Sequence, residues 1–219
     1  MAEEQRLQLS EKRTLTYRLC AGIVAVAAKL CFRPTVVGAE NIPLTGPVLI
    51  APIHRSNVDF ALTLFISKRK VFFMAKDSIF RVPILGPLIT HLGAFPVKRG
   101  SADRESMTLS EEVLRQGHAL VLFPEGTRQE GRAVAPLHDG AMFVAARTGA
   151  IIVPVGIGGS DKAMPKGAKL PRFSRIRIVV GAPIQPPSSQ GRVARSALAA
   201  KSEELRAALE AVYLESLSG

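Results

Sequence analysis

Uninterrupted apolar runs of strand length recur along this chain between segments of helical pattern. They are Val48–Ile53, Val71–Ala75, Ala119–Phe123 and Ile151–Ile157. None alternates apolar with polar residues, as a strand with one wet face would. Each therefore expects cover on both faces, and only a sheet flanked by helices on both sides supplies it. The intervening segments provide such helices. Asp59–Ile66 is apolar and free of breakers, Ala102–Gln116 is stopped by Gly117, and His138–Thr148 is followed by Gly149. A final helix carries Leu198, Leu205, Leu209 and Val212 on one face. Pro83, Gly86 and Pro87 interrupt a short helical stretch, and Arg175–Val180 reads as a further strand. Ala94–Val97 is strand-like, with Pro96 assigning it to an end or an edge. The expected fold is α/β: a single domain with a central mixed, largely parallel sheet flanked by helices, plus an N-terminal amphipathic helical segment. The division falls at residues 1–33 and 34–219.

The first segment places Leu15, Leu19, Ile23, Val26 and Leu30 at helical steps of three and four, among Arg6, Lys12, Arg13, Arg18, Lys29 and Arg33. Its uncharged stretch, Leu19–Ala28, is shorter than the roughly 20 residues a crossing helix needs. It reads as a helix lying in an anionic membrane interface, or as one packed on the domain with a basic rim. Glu3, Glu4 and Glu11, with no small-residue cleavage site, argue against a secretory signal. The whole chain fits this picture. It has 219 residues, 29 Lys and Arg against 18 Asp and Glu, a net charge of +11 and 47% hydrophobic residues. A chain so basic and so apolar points to an anionic partner, a membrane surface first. With 5% aromatics and no Trp, stacking platforms are scarce and no nucleic acid is expected. Cys20 and Cys31 lie 11 residues apart, about 16 Å along a helix, too far for a disulfide. They suit a reducing compartment, and no metal spacing accompanies them. Nothing in the sequence sets an oligomeric state.

Familiar catalytic motifs fail one by one. No G-x-S-x-G elbow is present. Gly126 and Gly131 have P-loop spacing but are followed by Arg132 and Ala133, and no G-x-G-x-x-G follows a strand. Three strand ends carry chemistry instead. Strand 48–53 runs into His54-Arg55-Ser56-Asn57-Val58-Asp59. A His and an Asp five apart across a strand-to-helix turn can face each other, the carboxylate fixing the tautomer and the other ring nitrogen acting as base. A loop His beside a helix-starting Asp is the competing reading. Strand 94–97 is followed by Lys98-Arg99, and strand 119–123 by Pro124-Glu125-Gly126-Thr127-Arg128. Parallel strands would bring all three groups to one sheet edge. Two arginines there suit an oxyanion, phosphate above all. Gly126 would let the backbone approach a ligand closely.

In order, His54-x-x-x-x-Asp59, Gly93-Ala94-Phe95-Pro96-Val97-Lys98-Arg99, Phe123-Pro124-Glu125-Gly126-Thr127-Arg128 and Val153-Pro154-Val155 resemble the four blocks of the glycerolipid acyltransferases. The nearest subgroup is the 1-acylglycerol-3-phosphate acyltransferases, and the similarity covers about residues 35–185. The resemblance implies His54 as general base and Asp59 as its orienter. It implies Arg99 and Arg128 on the acceptor phosphate, Lys76 assisting, Glu125 on the glycerol, and Gly126 and Thr127 shaping the loop. Val153-Pro154-Val155 would lie near the acyl chain, or be core strand. No metal and no cofactor is implied beyond the donor, acyl-CoA or acyl carrier protein. Ile53 and Arg55 depart from the family pattern, which has Asn before the His and an uncharged polar residue after it. The implied reaction moves an acyl group to 1-acylglycerol-3-phosphate, a lysophospholipid, giving phosphatidate at the cytoplasmic face of a membrane. The alternatives are glycerol-3-phosphate or another lysophospholipid as acceptor, or a non-catalytic binder of anionic lipid. The basic loop with Lys162, Lys166, Lys169 and Arg172 is left for the carrier or the membrane.

Overall fold

The computed structural model describes residues 14–97, 104–168, 170–187 and 193–218. Its strands are β1 (Thr35–Val37), β2 (Val48–Pro52), β3 (Val71–Lys76), β4 (Ala94–Val97), β5 (Ala119–Val121), β6 (Ile151–Gly158) and β7 (Arg177–Val180). Its helices are α1 (Leu15–Phe32), α2 (Asp59–Leu62), α3 (Asp77–Phe80), α4 (Leu85–His91), α5 (Arg104–Arg115), α6 (Asp139–Thr148), α7 (Ser160–Ala163) and α8 (Arg195–Leu217). The strands form one sheet in the order β1-β7-β6-β2-β5-β3-β4. From β6 to β4 every neighbouring pair is parallel, and only β6 and β7 run antiparallel. The expected mixed, largely parallel sheet is thus the observed one.

The apolar runs form its centre. Val48, Leu49, Ile50, Ala119, Leu120 and Val153 have no exposed surface. Complete burial of one such aliphatic side chain contributes about 1.5–3 kcal/mol, so this strip defines the core. β4, with its Pro96, is an edge strand, where a missing N–H is tolerated. Three details differ from the sequence reading. β1 has no apolar signature, because Thr35 and Val37 are exposed. The helix expected over 59–66 is one α turn followed by a 3-10 turn at Thr63–Phe65. β5 stops at Val121 because the chain then bends into the loop that holds Glu125.

α8 lies directly on β6. A Cβ at Gly156 would collide with the Val212 carbonyl, and one at Gly158 with the Ser216 carbonyl. Two glycines on one face of the strand therefore admit two successive turns of helix backbone.

α1 is longer than the uncharged stretch suggested. Its 18 residues make it long and apolar enough to cross a membrane by length and composition alone, which corrects the expectation that it falls short. Tyr17, Ala28 and Phe32 are buried on one side, and the helix packs on α2 and α4. Leu15, Leu19, Ile23, Val26 and Leu30 are 59–82% exposed. At 100° per residue they share one narrow stripe. Thr14 caps the helix by accepting from the Tyr17 N–H.

Candidate active site

The C-terminal ends of β2, β5, β3 and β4 lie side by side, so the groups that follow them share one sheet edge. Two backbone bonds set the exits. The Ile53 N–H donates to the Val155 carbonyl, and the Leu122 N–H to the Ile50 carbonyl.

Beyond β2 the chain wraps around Asp59. One carboxylate oxygen, Oδ2, accepts from the backbone N–H groups of Arg55 and Ser56, each at 2.7 Å. The same oxygen lies 3.0 Å from His54 Nδ1. Asp59 thus closes the start of α2 and orients the histidine at once, so the two readings of this pair hold together. A carboxylate at Nδ1 keeps the proton there and leaves Nε2 as an acceptor. The imidazole stacks on Phe123, with ring centres 4.2 Å apart. Its side chain is 12% exposed, and that of Asp59 not at all. Ser56 sits one turn away, but its hydroxyl donates to the Met164 carbonyl.

Glu125, the residue expected on the glycerol of the acceptor, is buried and bonded to protein groups. Its oxygens accept from Arg55 Nη1 at 3.0 and 2.8 Å, the His54 N–H at 2.9 Å and the Ala135 N–H at 3.1 Å. Both side chains of the Arg55–Glu125 pair are essentially without exposed surface. Arg55 also donates to the Ala133 and His54 carbonyls, and its guanidinium lies over the Tyr213 ring, 5.0 Å from the centre. Arg55, the departure from the family pattern, is therefore the counter-ion of Glu125. Burial raises the pKa of the Tyr213 phenol, with the Arg55 charge opposing. The protonated hydroxyl donates to the Gly131 carbonyl.

The loop after Glu125 is tied back to the histidine, since the Gln129 N–H donates to the His54 carbonyl. Gly126 has φ +69°, and the His138 ring occupies the space a Cβ would take. The positive φ and the neighbouring ring thus already call for glycine at this exposed position. Thr127 is exposed, its hydroxyl accepting from Gln129. Arg128 is half-buried and makes no ion pair or hydrogen bond among the described residues. Lys76 is exposed at the end of β3, in register with Val97. Arg99 lies outside the described residues. Val153 and Val155 are fully buried, which favours core strand over acyl contact. Sequence reasoning missed Arg55 and Tyr213 as supports of the site. The signal for Arg55 was available, since a cation beside His54 asks for a carboxylate. Tyr213 carried only its place on the apolar face of α8.

The family model described as acyltransferase matches residues 33–158. The chain is 31% identical over 157 residues to a chloroplast 1-acyl-sn-glycerol-3-phosphate acyltransferase of Arabidopsis thaliana, covering 70% of this chain and 44% of that protein. It is 27% identical over 190 residues to the 1-acyl-sn-glycerol-3-phosphate acyltransferase of Bacillus subtilis, covering 86% of this chain and 92% of that one. It therefore spans less than half the length of the plant relative and nearly all of the bacterial one. The fold is similar to the crystal structure of PlsC, the 1-acyl-sn-glycerophosphate acyltransferase of Thermotoga maritima. The TM-score is 0.74 at 23% identity, covering 90% of this chain and 78% of that chain.

Proposed function

The chain belongs to the acyltransferase family, and from that premise we propose that it transfers a fatty acyl group from an acyl thioester to the free hydroxyl of 1-acylglycerol-3-phosphate, giving phosphatidate. The observation that carries this reading is the His54–Asp59 pair, hydrogen-bonded at 3.0 Å at the edge of the sheet, with no partner for Nε2 among the described residues. The relatives named as 1-acyl-sn-glycerol-3-phosphate acyltransferases support the choice of acceptor.

In this reading Nε2 takes the proton of the acceptor hydroxyl as its oxygen attacks the thioester carbonyl carbon. The C–O bond forms, the C–S bond breaks, and the leaving thiolate receives the proton from the imidazolium. Such a base contributes about 10²–10⁴-fold. Asp59 stabilises the transient imidazolium and keeps the ring aimed. Transfer is direct, because the Ser56 hydroxyl is already committed to Met164. Arg128, Lys76 and Arg99 are proposed to receive the acceptor phosphate. Glu125 acts indirectly, by fixing Arg55 and the His54 backbone.

A panel of acceptors with purified protein tests this, with the acylated position located in each product. Arg128→Ala is expected to raise the KM for 1-acylglycerol-3-phosphate by about tenfold or more, the worth of a charged hydrogen bond. Use of an unphosphorylated monoacylglycerol should not change. Equal loss with both acceptors would overturn the phosphate role.

We also propose that α1 lies in the membrane interface at the cytoplasmic face, delivering the acceptor to His54. Support comes from its outer stripe of Leu15, Leu19, Ile23, Val26 and Leu30, while its inner side is packed on the domain. Exposed Phe173 extends that surface beside Leu30. Ile23→Glu with Val26→Glu should abolish co-flotation with anionic vesicles; unchanged flotation would refute the docking face.

A further inference from the structure

Next to the site, on the side away from Lys76, lies a cavity of about 990 Å³. It opens at the end of β6 and the start of β7, and α8 forms one wall. Arg33, Arg132, Lys162, Arg175 and Arg177 line it, against a single lining acid, Asp161. Arg177 pairs with Glu215 at 3.5 Å. The other four cations have no ion pair among the described residues. Like charges gathered around one concave space raise its potential, and only a bound anion relieves the repulsion. Several guanidinium forks around one space suit an anion with several oxygens, such as phosphate. The size is that of a small-molecule site, at the upper end of the usual 300–1,000 Å³ or so. Ser160, fully buried and between the lining residues Gly159 and Asp161 in sequence, has a hydroxyl with no partner among the described residues.

The topology relates this cavity to the chemistry. β6 is the parallel neighbour of β2, and Val155 is bonded to Ile53, the residue before His54. β6 continues to Gly158 at the cavity rim, about 10 Å further at strand rise. Tyr213 lines the cavity with one face of its surroundings and covers Arg55 with its ring. Arg55 in turn donates to Glu125, which accepts from the His54 N–H, so the wall of the cavity is linked to His54 through three contacts. On the opposite side of β2 lie β5, β3 and β4, with Arg128 and Lys76 at their ends. His54 is thus flanked by two separate cationic regions, and a two-substrate transfer has two phosphorylated substrates to hold.

We propose that this cavity binds the phosphorylated nucleotide end of a coenzyme A thioester, with the pantetheine arm running past Tyr213 toward His54. The proposal rests on the acyl-transfer reading and adds the donor's identity and its anchor. It separates the cations by substrate: those at β5 to β4 for the acceptor, those at β6 to β7 for the donor.

The test uses the full chain and two charge reversals at exposed positions, Arg132→Glu and Arg175→Glu. Binding of free coenzyme A and of adenosine 3′,5′-bisphosphate is measured by calorimetry without acceptor, and KM values are measured for acyl-CoA, acyl carrier protein and 1-acylglycerol-3-phosphate. Each reversal should weaken coenzyme A binding and raise the acyl-CoA KM by at least about tenfold. Removing the 3′-phosphate from coenzyme A should reproduce part of that loss in the wild type, and the acceptor KM should stay unchanged. Undiminished coenzyme A binding in both variants would overturn the proposal. So would loss confined to acyl carrier protein, which would make the face a protein-docking surface. Loss confined to vesicle flotation would do the same in favour of lipid headgroups. Failure of the acyl-transfer reading looks different: no donor is turned over by the wild type, whatever the calorimetry gives.

Discussion

His54→Ala is expected to remove acyl transfer almost entirely while leaving the protein folded. The imidazole is the proposed base, its Nε2 without a partner among the described residues, and its loss would forfeit a base contribution of about 10²–10⁴-fold. The fold should tolerate the change. Asp59 keeps the two backbone N–H donors of Arg55 and Ser56, and the variant gives up the stack on Phe123. Turnover from acyl-CoA, measured beside a denaturant unfolding curve, checks both halves. Full turnover in the variant would remove His54 from the mechanism. Low turnover with a shifted unfolding midpoint would mean that the ring is structural.

The largest stability effect is expected at Glu125. Glu125→Ala leaves the Arg55 guanidinium buried without its carboxylate, and breaking an enclosed pair costs about 3–5 kcal/mol. It also strips the acceptors from the His54 and Ala135 N–H groups, so turnover should fall with stability. The double variant Arg55→Met with Glu125→Leu separates the two causes. Two apolar residues of similar size no longer strand a charge, and the pair should cost less together than Glu125→Ala does alone. A loss below about 1 kcal/mol for Glu125→Ala, the range of an exposed pair, would show that the pair does not hold the loop.

Much of this arrangement was legible in the sequence. Val48–Ile53 and Ile151–Ile157 are apolar without alternation, and that alone required cover on both faces. Pro96 announced an outer strand because a proline has no N–H to give. His54 and Asp59 were found because their spacing spans one strand-to-helix turn. What escaped the sequence had a common cause. The partner of Glu125 could not be read from its loop, because the pairing joins residues 70 positions apart. A carboxylate in a motif looks available until a buried counter-ion is seen. Nor does any motif mark His138, which packs where a Cβ at Gly126 would stand. The extent of α1 was underestimated because charge was counted, and Arg18 and Lys29 sit at its flanks without ending it.

The seating of α8 on Gly156 and Gly158 has a bearing on when the protein becomes competent during its synthesis. His54, Asp59 and Glu125 leave the ribosome early. The ring that covers Arg55 belongs to Tyr213, far downstream, and reaches its place only after β6 has joined the sheet and the helix has settled on the two glycines. A nascent chain already carrying His54, Asp59 and Glu125 would still hold the proposed base on an unfinished support. Competence would then arrive late and all at once, with the docking of one helix.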